Sequence, residues 1–430
     1  MRTLLVLGPL ARRTVVAVAC SLAACGDDSV TGGAGGGSSD GAAAGGGAGG
    51  APGLVCGEPF ISKGPWSFAI DETSARVRWE ACAADSNGEV VFQPEDGGAE
   101  ATVGSVESIF ELTTTHTPLG ENPPDWAGTY YMHEAELSGL TPSTCYRYHL
   151  AADDTRNGRL CTARSSGESF KFMAIGDTNP ALGTTEHVLF NALTRNPDFT
   201  IHGGDIQYYD SLLETWASWF PIMQPMLAQG GFFPAIGNHE VENDEELSDY
   251  SLRFFGGAGF DGGETFYQFH NGGVWFFNVN TEEPISQGSP QAIWLTAAIE
   301  AAALDPDYRF GVVYFHRPLV TCGDTGDDPA ARAFLEPVFD ANGVLFVIGA
   351  HMHGYERFDF ATGPTYITAA GGGGVMGDVD LNIDREYCVD RVASGPIFHA
   401  IIFDVGPAEV SLEVVDDAGV TQDTFTRAIP

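Results

Sequence analysis

Five apolar segments of this chain each lead into an aspartate, an asparagine or a histidine. In order they are "FKFMAIGD", "DFTIHGGD", "FFPAIGNHE", "FGVVYFH" and "VLFVIGAHMH". The first three alternate with segments of helical pattern, which predicts a βαβαβ arrangement with a mostly parallel sheet. Because the carboxyl ends of parallel strands meet at one edge of a sheet, the polar residues are expected to converge there.

The histidine pair of the last segment, His351 and His353, indicates what that edge could bind. Residues i and i+2 of a strand lie on the same face, so both imidazoles can reach one point beyond the sheet. That geometry suits a metal ion, although two surface histidines at a strand end are the simpler alternative. The other strand-end candidates are Asp177, Asp205, Tyr208, Asn238, His239 and His316.

Residues 54–167 have a different pattern, of short alternating runs such as "ARVRWEA" and "GEVVFQ" between turn residues. This pattern predicts a small all-β sandwich. The segment "AELSGLTPSTCYRYHLAA" resembles the E-to-F corner of fibronectin type III domains, with Tyr146 or Tyr148 as the corner tyrosine and Trp79 in the core.

The blocks "GDTN", "GGDIQYYD", "GNHE", "YFHRP" and "GAHMH" resemble, in this order, the motifs of purple acid phosphatases. Asn179 stands where that family has Gly, and Ala350 is inserted before the histidine pair. The resemblance implies a fibronectin type III-like β-sandwich (54–167) followed by an α/β metallophosphoesterase domain (168–430), a two-sheet βαβαβ sandwich. Three strand-like runs between Ile397 and Ile429 are expected to complete its second sheet.

Carried over block by block, the resemblance implies two metal sites that share Asp205. One takes Asp177, Asp205, Tyr208 and His353, and the other takes Asp205, Asn238, His316 and His351. Carboxylates and a phenolate favour a trivalent ion, whereas imidazoles and an amide suit a divalent one. The expected cofactors are therefore Fe(III) plus a divalent Fe, Zn or Mn ion. Such a pair implies hydrolysis of a small phosphomonoester by attack of a metal-bound hydroxide.

Two further residues have alternative interpretations. The resemblance gives His239 a role in catalysis, stabilising the transition state or protonating the leaving alkoxide, against a merely structural role. Arg317 could bind the substrate phosphate or pair with one of the many acids. For the whole chain, the alternatives to a phosphomonoesterase are a phosphodiesterase with the same metal pair and a non-catalytic surface-binding lipoprotein.

The N-terminus predicts export. In residues 1–24, arginines precede the apolar run "TVVAVACSLAAC", which is too short to span a bilayer. "LAAC" resembles the lipobox of bacterial lipoproteins, which implies lipidation of Cys25, whereas an ordinary signal peptide would leave Cys25 unmodified. The composition of residues 25–53 predicts a Gly/Ala-rich tether. The expected location is the outer membrane or cell surface, or the periplasmic side, with a lipid anchor in the membrane.

The charge of the chain limits the classes of partner that it could bind. The chain has 58 acidic against 20 basic side chains, which makes nucleic acid an improbable partner. Phosphate chemistry in such a chain needs a strong local positive charge such as bound metal.

The six cysteines beyond Cys25 contain no C-x-x-C pair, which favours disulfides. Cys322 and Cys388 are the expected pair in the second half, while Cys56, Cys82, Cys145 and Cys161 stay unassigned. The sequence gives no oligomeric state.

Overall fold

The computed structural model describes residues 61–84, 88–112, 128–180, 183–208, 213–241, 252–259 and 261–430. The predicted signal peptide, the lipidation site Cys25, the tether and Cys56 all lie outside these ranges. Within them, none of the helices combines the length and the apolar character that crossing a membrane requires.

The N-terminal part forms two antiparallel sheets of four strands each, which confirms the predicted β-sandwich. The first sheet has the order β1-β2-β6-β5, and the second has the order β4-β3-β7-β8. The strands are β1 (Ile61–Phe68), β2 (Ser74–Ala81), β3 (Glu89–Pro94), β4 (Ala101–Gly104), β5 (Val106–Leu112), β6 (Gly128–Ser138), β7 (Cys145–Leu150) and β8 (Asp153–Cys161).

The predicted tyrosine corner is present, and Tyr146 forms it. The backbone N–H of Thr141 donates to the hydroxyl of Tyr146 over 2.9 Å. Tyr148 is instead fully buried in the core, as is Trp79, whose ring stacks on His133 with centroids 5.0 Å apart. The corner fixes the turn that leads into β7.

The second part of the chain begins with the predicted βαβαβ unit. Its elements are β9 (Phe170–Ile175), α1 (Thr184–Leu193), β10 (Phe199–His202), α2 (Leu213–Gln229) and β11 (Gly231–Pro234). The three strands are parallel, with Phe199 opposite Phe172 on one side and Gly231 on the other. Their carboxyl ends therefore open at one edge, as the sequence predicts.

The expectation that the C-terminal strands complete the second sheet is wrong. The strands β20 (His399–Val405), β21 (Glu409–Asp416) and β22 (Thr421–Ala428) extend the first sheet, whose order is β11-β10-β9-β20-β21-β22. β20 runs antiparallel to β9, and the ring of Phe403 stacks on Phe172 at 4.5 Å. The alternating pattern of these runs predicts strands, but it does not identify the strand with which they pair.

The second sheet contains eight strands, in the order β12-β13-β14-β15-β16-β18-β17-β19. They are β12 (Asp261–Gly262), β13 (Tyr267–Asn271), β14 (Val274–Val279), β15 (Phe310–Phe315), β16 (Val344–Gly349), β17 (Tyr355–Asp359), β18 (Thr365–Ala369) and β19 (Arg391–Gly395). The core between the two sheets is aromatic, with Phe172 and Phe276 edge to face at 5.1 Å. The helices α4 (Pro290–Ala302) and α5 (Pro329–Ala341) pack against this sheet, and α3 (Leu252–Phe255) precedes it.

Two disulfides lie wholly within the residues that the structure describes. Cys322 is bonded to Cys388, as predicted, and Cys145 is bonded to Cys161 across β7 and β8. Cys82 is also disulfide-bonded. The Cys322–Cys388 bond joins the segment that follows β15 to the segment that precedes β19.

Candidate metal centre

The backbone is unusual at three of the strand-end residues. Asp177, Asp205 and His351 have φ angles of 58°, 49° and 66°, in the left-handed region. That conformation is uncommon for residues with a Cβ atom, and such residues cluster at functional sites. The loops that carry these residues are closely packed. A Cβ atom on Gly237 would lie only 2.3 Å from Oδ1 of Asp205. The glycine lets two strand-end loops approach each other.

Asp177, Tyr208 and His353 form the first group of candidate ligands. The hydroxyl of Tyr208 lies 2.9 Å from Oδ1 of Asp177 and 2.8 Å from Nε2 of His353. The Nδ1 atom of His353 is 2.6 Å from the carbonyl of Val375. When Nδ1–H donates to that carbonyl, the lone pair of Nε2 is directed into the group.

A second group surrounds Nε2 of His316. This atom is 3.1 Å from Oδ1 of Asn238, 3.0 Å from Nδ1 of His351 and 3.3 Å from Oδ1 of Asp205. The other ring nitrogen, Nδ1, lies 3.0 Å from the carbonyl of Gly203, to which it can donate. In neutral His316 the Nε2 lone pair would then face other electron-rich atoms. A cation among these donors removes the conflict, so the donor set fits a bound metal.

Asp205 belongs to both groups. Its carboxylate lies with His316 and His351 in one set of potential ligand atoms, and with Asp177 and His353 in another, all within 4.8 Å of one another in each set. The structure thus brings together all seven predicted ligands at one edge of the sheets. A carboxylate that belongs to both sets would be shared if each set held an ion.

Charge compensation in the site is visible in the pKa values. Burial would lower the pKa of His316, but the charges of Asp205 and Asp177 raise it to about 9. For His353, burial is likewise outweighed by Asp177, and the pKa rises to about 9. Burial lowers the pKa of His351 to about 4, with the charge of His316 acting in the same direction. Without metal, protons on two histidines therefore supply the positive charge that the buried carboxylates require.

His239 is placed differently from the ligands. It lies in a 3₁₀ turn, Asn238–Val241, that follows β11, and its backbone N–H donates to Oδ1 of Asp205 over 3.0 Å. Its ring packs on Tyr208 with centroids 4.4 Å apart, and its Nε2 atom is 3.8 Å from Oδ2 of Asp205. Burial lowers the pKa of His239, against the opposing effect of Asp205. The side chain is about 25% exposed, so a substrate can reach it.

Arg317 pairs with an acid and also borders the metal centre. Its Nε and Nη2 atoms donate to the two carboxylate oxygens of Glu282 over 2.7 and 2.9 Å. Its Nη1 atom lies 2.9 Å from Nε2 of His351. The two interpretations of Arg317 are therefore compatible, because the ion pair with Glu282 holds the guanidinium at the rim of the site.

Sequence reasoning did not assign a role to Glu240, the last residue of "GNHE". Its side chain is fully buried and accepts from the backbone N–H groups of Gly237, Asp205 and Ile206 over 2.7, 2.9 and 2.8 Å. These bonds tie the loop after β10 to the loop after β11. Burial, and then the charge of Asp205, raise the pKa of Glu240 to about 8. An acid two residues after the predicted ligand Asn238, directly after the predicted catalytic residue His239, was the available signal.

Asn179, the departure from the family pattern, is buried beside the glycine run that follows β18. Its backbone N–H donates to Oγ1 of Thr185 over 3.0 Å. In the glycine run, the N–H of Gly374 donates to the carbonyl of Asp177, and a Cβ atom on Gly374 would lie 2.8 Å from the ring of His353. The glycines therefore allow this loop to pack directly against the first group of ligands.

Comparisons with known proteins agree with this arrangement. Residues 170–355 match the calcineurin-like phosphoesterase family, and residues 66–172 match the purple acid phosphatase N-terminal domain. An uncharacterised protein of Mycobacterium tuberculosis is 28% identical over 266 residues, which are 53% of this chain and 50% of that protein. Purple acid phosphatase 13 of Arabidopsis thaliana is 24% identical over 297 residues, which are 56% of this chain and 54% of that protein.

The chain thus spans about half the length of the curated relatives it matches. Among solved structures, purple acid phosphatase PPD1 from yellow lupin (Lupinus luteus) seeds matches with a TM-score of 0.69 at 17% identity. That match covers 85% of this chain and 74% of the lupin chain. Over residues 66–355, this chain consists of a purple acid phosphatase N-terminal domain followed by a calcineurin-like phosphoesterase domain, with the dimetal phosphoesterase fold of purple acid phosphatases.

Proposed function

We propose that the protein is a metal-dependent phosphoric monoester hydrolase that holds Fe(III) beside a divalent Fe, Zn or Mn ion. The observation that carries this proposal is the pair of donor groups that share Asp205. The first group, with two carboxylates and a phenol, suits a hard trivalent ion. The second group, with two imidazoles and an amide, suits a divalent ion. A phosphoester would bind at the open edge above both groups.

When bound, such a metal pair would supply Lewis acidity toward the phosphoryl group and would lower the pKa of water. The surrounding side chains would hold the ions, donate a proton and bind the phosphoryl group. Tyr208 and Asp177 would hold the more highly charged ion, and Asp205 would keep the two ions together. His239, whose ring packs on Tyr208 and whose side chain is about 25% exposed, would donate a proton to the leaving alkoxide. Arg317, held by Glu282, can contact a phosphoryl oxygen from the side of His351.

The test is to purify the full chain, measure its metal content, and compare hydrolysis of an aryl phosphate with that of a bis-aryl phosphate diester. We expect about two metal ions per chain and at least a tenfold higher kcat/KM for the monoester. A higher kcat/KM for the diester would replace the proposal with a phosphodiesterase. Metal-free protein without turnover on either ester would favour a binding protein.

We further propose that the chain is exported and anchored by a lipid on Cys25. The support is the sequence alone: the apolar segment that ends in "LAAC" and the Gly/Ala-rich stretch that follows. A Gly/Ala-rich stretch of this kind is typical of segments that join a lipid anchor to a folded domain. The catalytic part would then act on soluble phosphoesters near the membrane.

A further inference from the structure

A cleft opens beside the metal centre, between the loops that follow β14 and β15. Its volume is about 470 Å³, which lies within the range of pockets that bind small molecules. β14 and β15 are parallel neighbours, so their ends lie at the same edge of the sheet as the candidate ligands. The lining includes Glu282, Glu283, Ile285, Arg317, Leu319 and Asp327.

Arg317 forms the wall that the cleft shares with the metal centre. Its Nη1 atom is 2.9 Å from Nε2 of His351, and the same side chain lines the cleft. Glu282 holds the guanidinium with two hydrogen bonds, so this wall has a fixed orientation. A phosphoryl group at the metals would therefore have one side directed toward the cleft.

The charge of the cleft is negative. Its lining contains four acids, Glu282, Glu283, Asp327 and Asp328, and one base, Arg317, which leaves a net charge of −3. Glu282 is neutralised by Arg317, and Asp327 forms an ion pair with Arg385. Glu283 is exposed, and its hydrogen bond from Asn280 is long, at 3.5 Å. Its carboxylate can therefore face a bound molecule.

We propose that this cleft receives the alcohol half of the substrate and selects alcohols that carry an ammonium group over alcohols that carry a carboxylate. The inference rests on the proposed phosphomonoesterase function. Carboxylates attract a cation and repel an anion, while Arg317 and bound metal would neutralise the phosphoryl group. Ile285 and Leu319 offer apolar contact to a short carbon chain between the two charges. The substrate class is therefore the phosphomonoesters of amino alcohols.

The test compares two monoesters of matched size, phosphoethanolamine and phosphoglycolate. In the wild type we expect a higher kcat/KM for phosphoethanolamine. Glu283→Lys should lower the ratio of the kcat/KM for phosphoethanolamine to that for phosphoglycolate about tenfold. Glu283→Gln changes the charge by half as much, so it should lower the same ratio about threefold. The matched control is Glu300→Lys, at an exposed acid on α4 that does not line the cleft. It should change the ratio less than about twofold.

The ratio cancels the intrinsic reactivity of each ester, because each variant is compared on the same pair. If hydrolysis of both esters occurs and Glu283→Lys leaves the ratio unchanged, or Glu300→Lys shifts it equally, the cleft assignment is overturned while the phosphatase activity stands. If no monoester is hydrolysed, the proposed function fails. The cleft assignment is then tested by calorimetry, which measures the affinity of the metal-loaded chain for each of the two esters. Tighter binding of phosphoethanolamine that Glu283→Lys abolishes would support the cleft, and equal affinities would overturn it.

Discussion

Glu240 is the residue whose removal should best reveal how the site is held together. Its carboxylate accepts three backbone N–H groups, two from the loop of Asp205 and one from Gly237. Hydrogen bonds donated to a carboxylate favour its ionised form, so we expect Glu240 to be a carboxylate in the metal-loaded protein. The isosteric change Glu240→Gln keeps the shape and replaces one acceptor oxygen by a donor NH₂ group.

The magnitude follows from the geometry. Oε2 accepts from Gly237 and Asp205, whereas Oε1 accepts from Ile206 alone. The amide should therefore place its oxygen at the Oε2 position and lose the bond to Ile206. Losing one charge-assisted bond and leaving a buried N–H without an acceptor costs about 2–3 kcal/mol. Because the backbone of Ile206, next to the shared candidate ligand Asp205, is then held less firmly, metal affinity should fall about 10- to 100-fold.

Two measurements check this prediction. Chemical denaturation of the metal-loaded protein gives the change in unfolding free energy, and competition with a chelator gives the metal affinity. The matched control is Glu300→Gln, at an exposed position, which should change stability by less than about 0.5 kcal/mol. If Glu240→Gln retains wild-type stability and metal affinity, Glu240 does not tie the two loops together and the reasoning is wrong.

Three other perturbations have distinct expected outcomes. If Tyr208 binds iron(III) as phenolate, the oxidised protein should absorb in the visible and Tyr208→Phe should lose that band, whereas His239→Ala should keep both metals and the band but lower turnover by about a hundredfold. A His239→Ala protein that has lost a metal would contradict this division of roles. In metal-free protein the pKa values of His316 and His353 are raised from 6.5 to about 9, so their stabilising contribution is complete below pH 6.5 and is lost as the pH rises through 9. The melting temperature in a chelator should fall over that range, and a constant or rising melting temperature would refute the assignment. Cys25→Ser should move the exported protein from the membrane fraction to the soluble fraction, and an unchanged distribution would rule out the lipid anchor.

The convergence of the seven candidate ligands could be predicted from the sequence, because each lies at or shortly after the end of an apolar strand. Asp177 and Asp205 follow parallel strands of one sheet and therefore converge whatever the order of those strands. His316 follows a strand of the second sheet, so its approach depends on how the two sheets pack. The Cys322–Cys388 disulfide was predictable for a different reason, since the second half of the chain offers no other cysteine.

The parts that the sequence did not predict depend on contacts between distant segments. The pairing of β20 with β9 brings Phe403 onto Phe172, a contact between distant segments that no local pattern encodes. The partner of Arg317 had to be one of many acids, and only the folded chain identifies Glu282, 35 residues away. The role of Glu240 comes from three backbone groups that side-chain patterns do not reveal.

The central claim is that one carboxylate, Asp205, serves two metal ions. The direct measurement is the metal content of the purified full chain and of three variants, Asp205→Ala, His353→Ala and Asn238→Ala. We expect two ions per chain in the wild type and one in each of the variants His353→Ala and Asn238→Ala, because each removes a ligand of one group. Asp205→Ala should retain neither ion. An Asp205→Ala protein that binds one ion as tightly as the wild type would contradict the shared site.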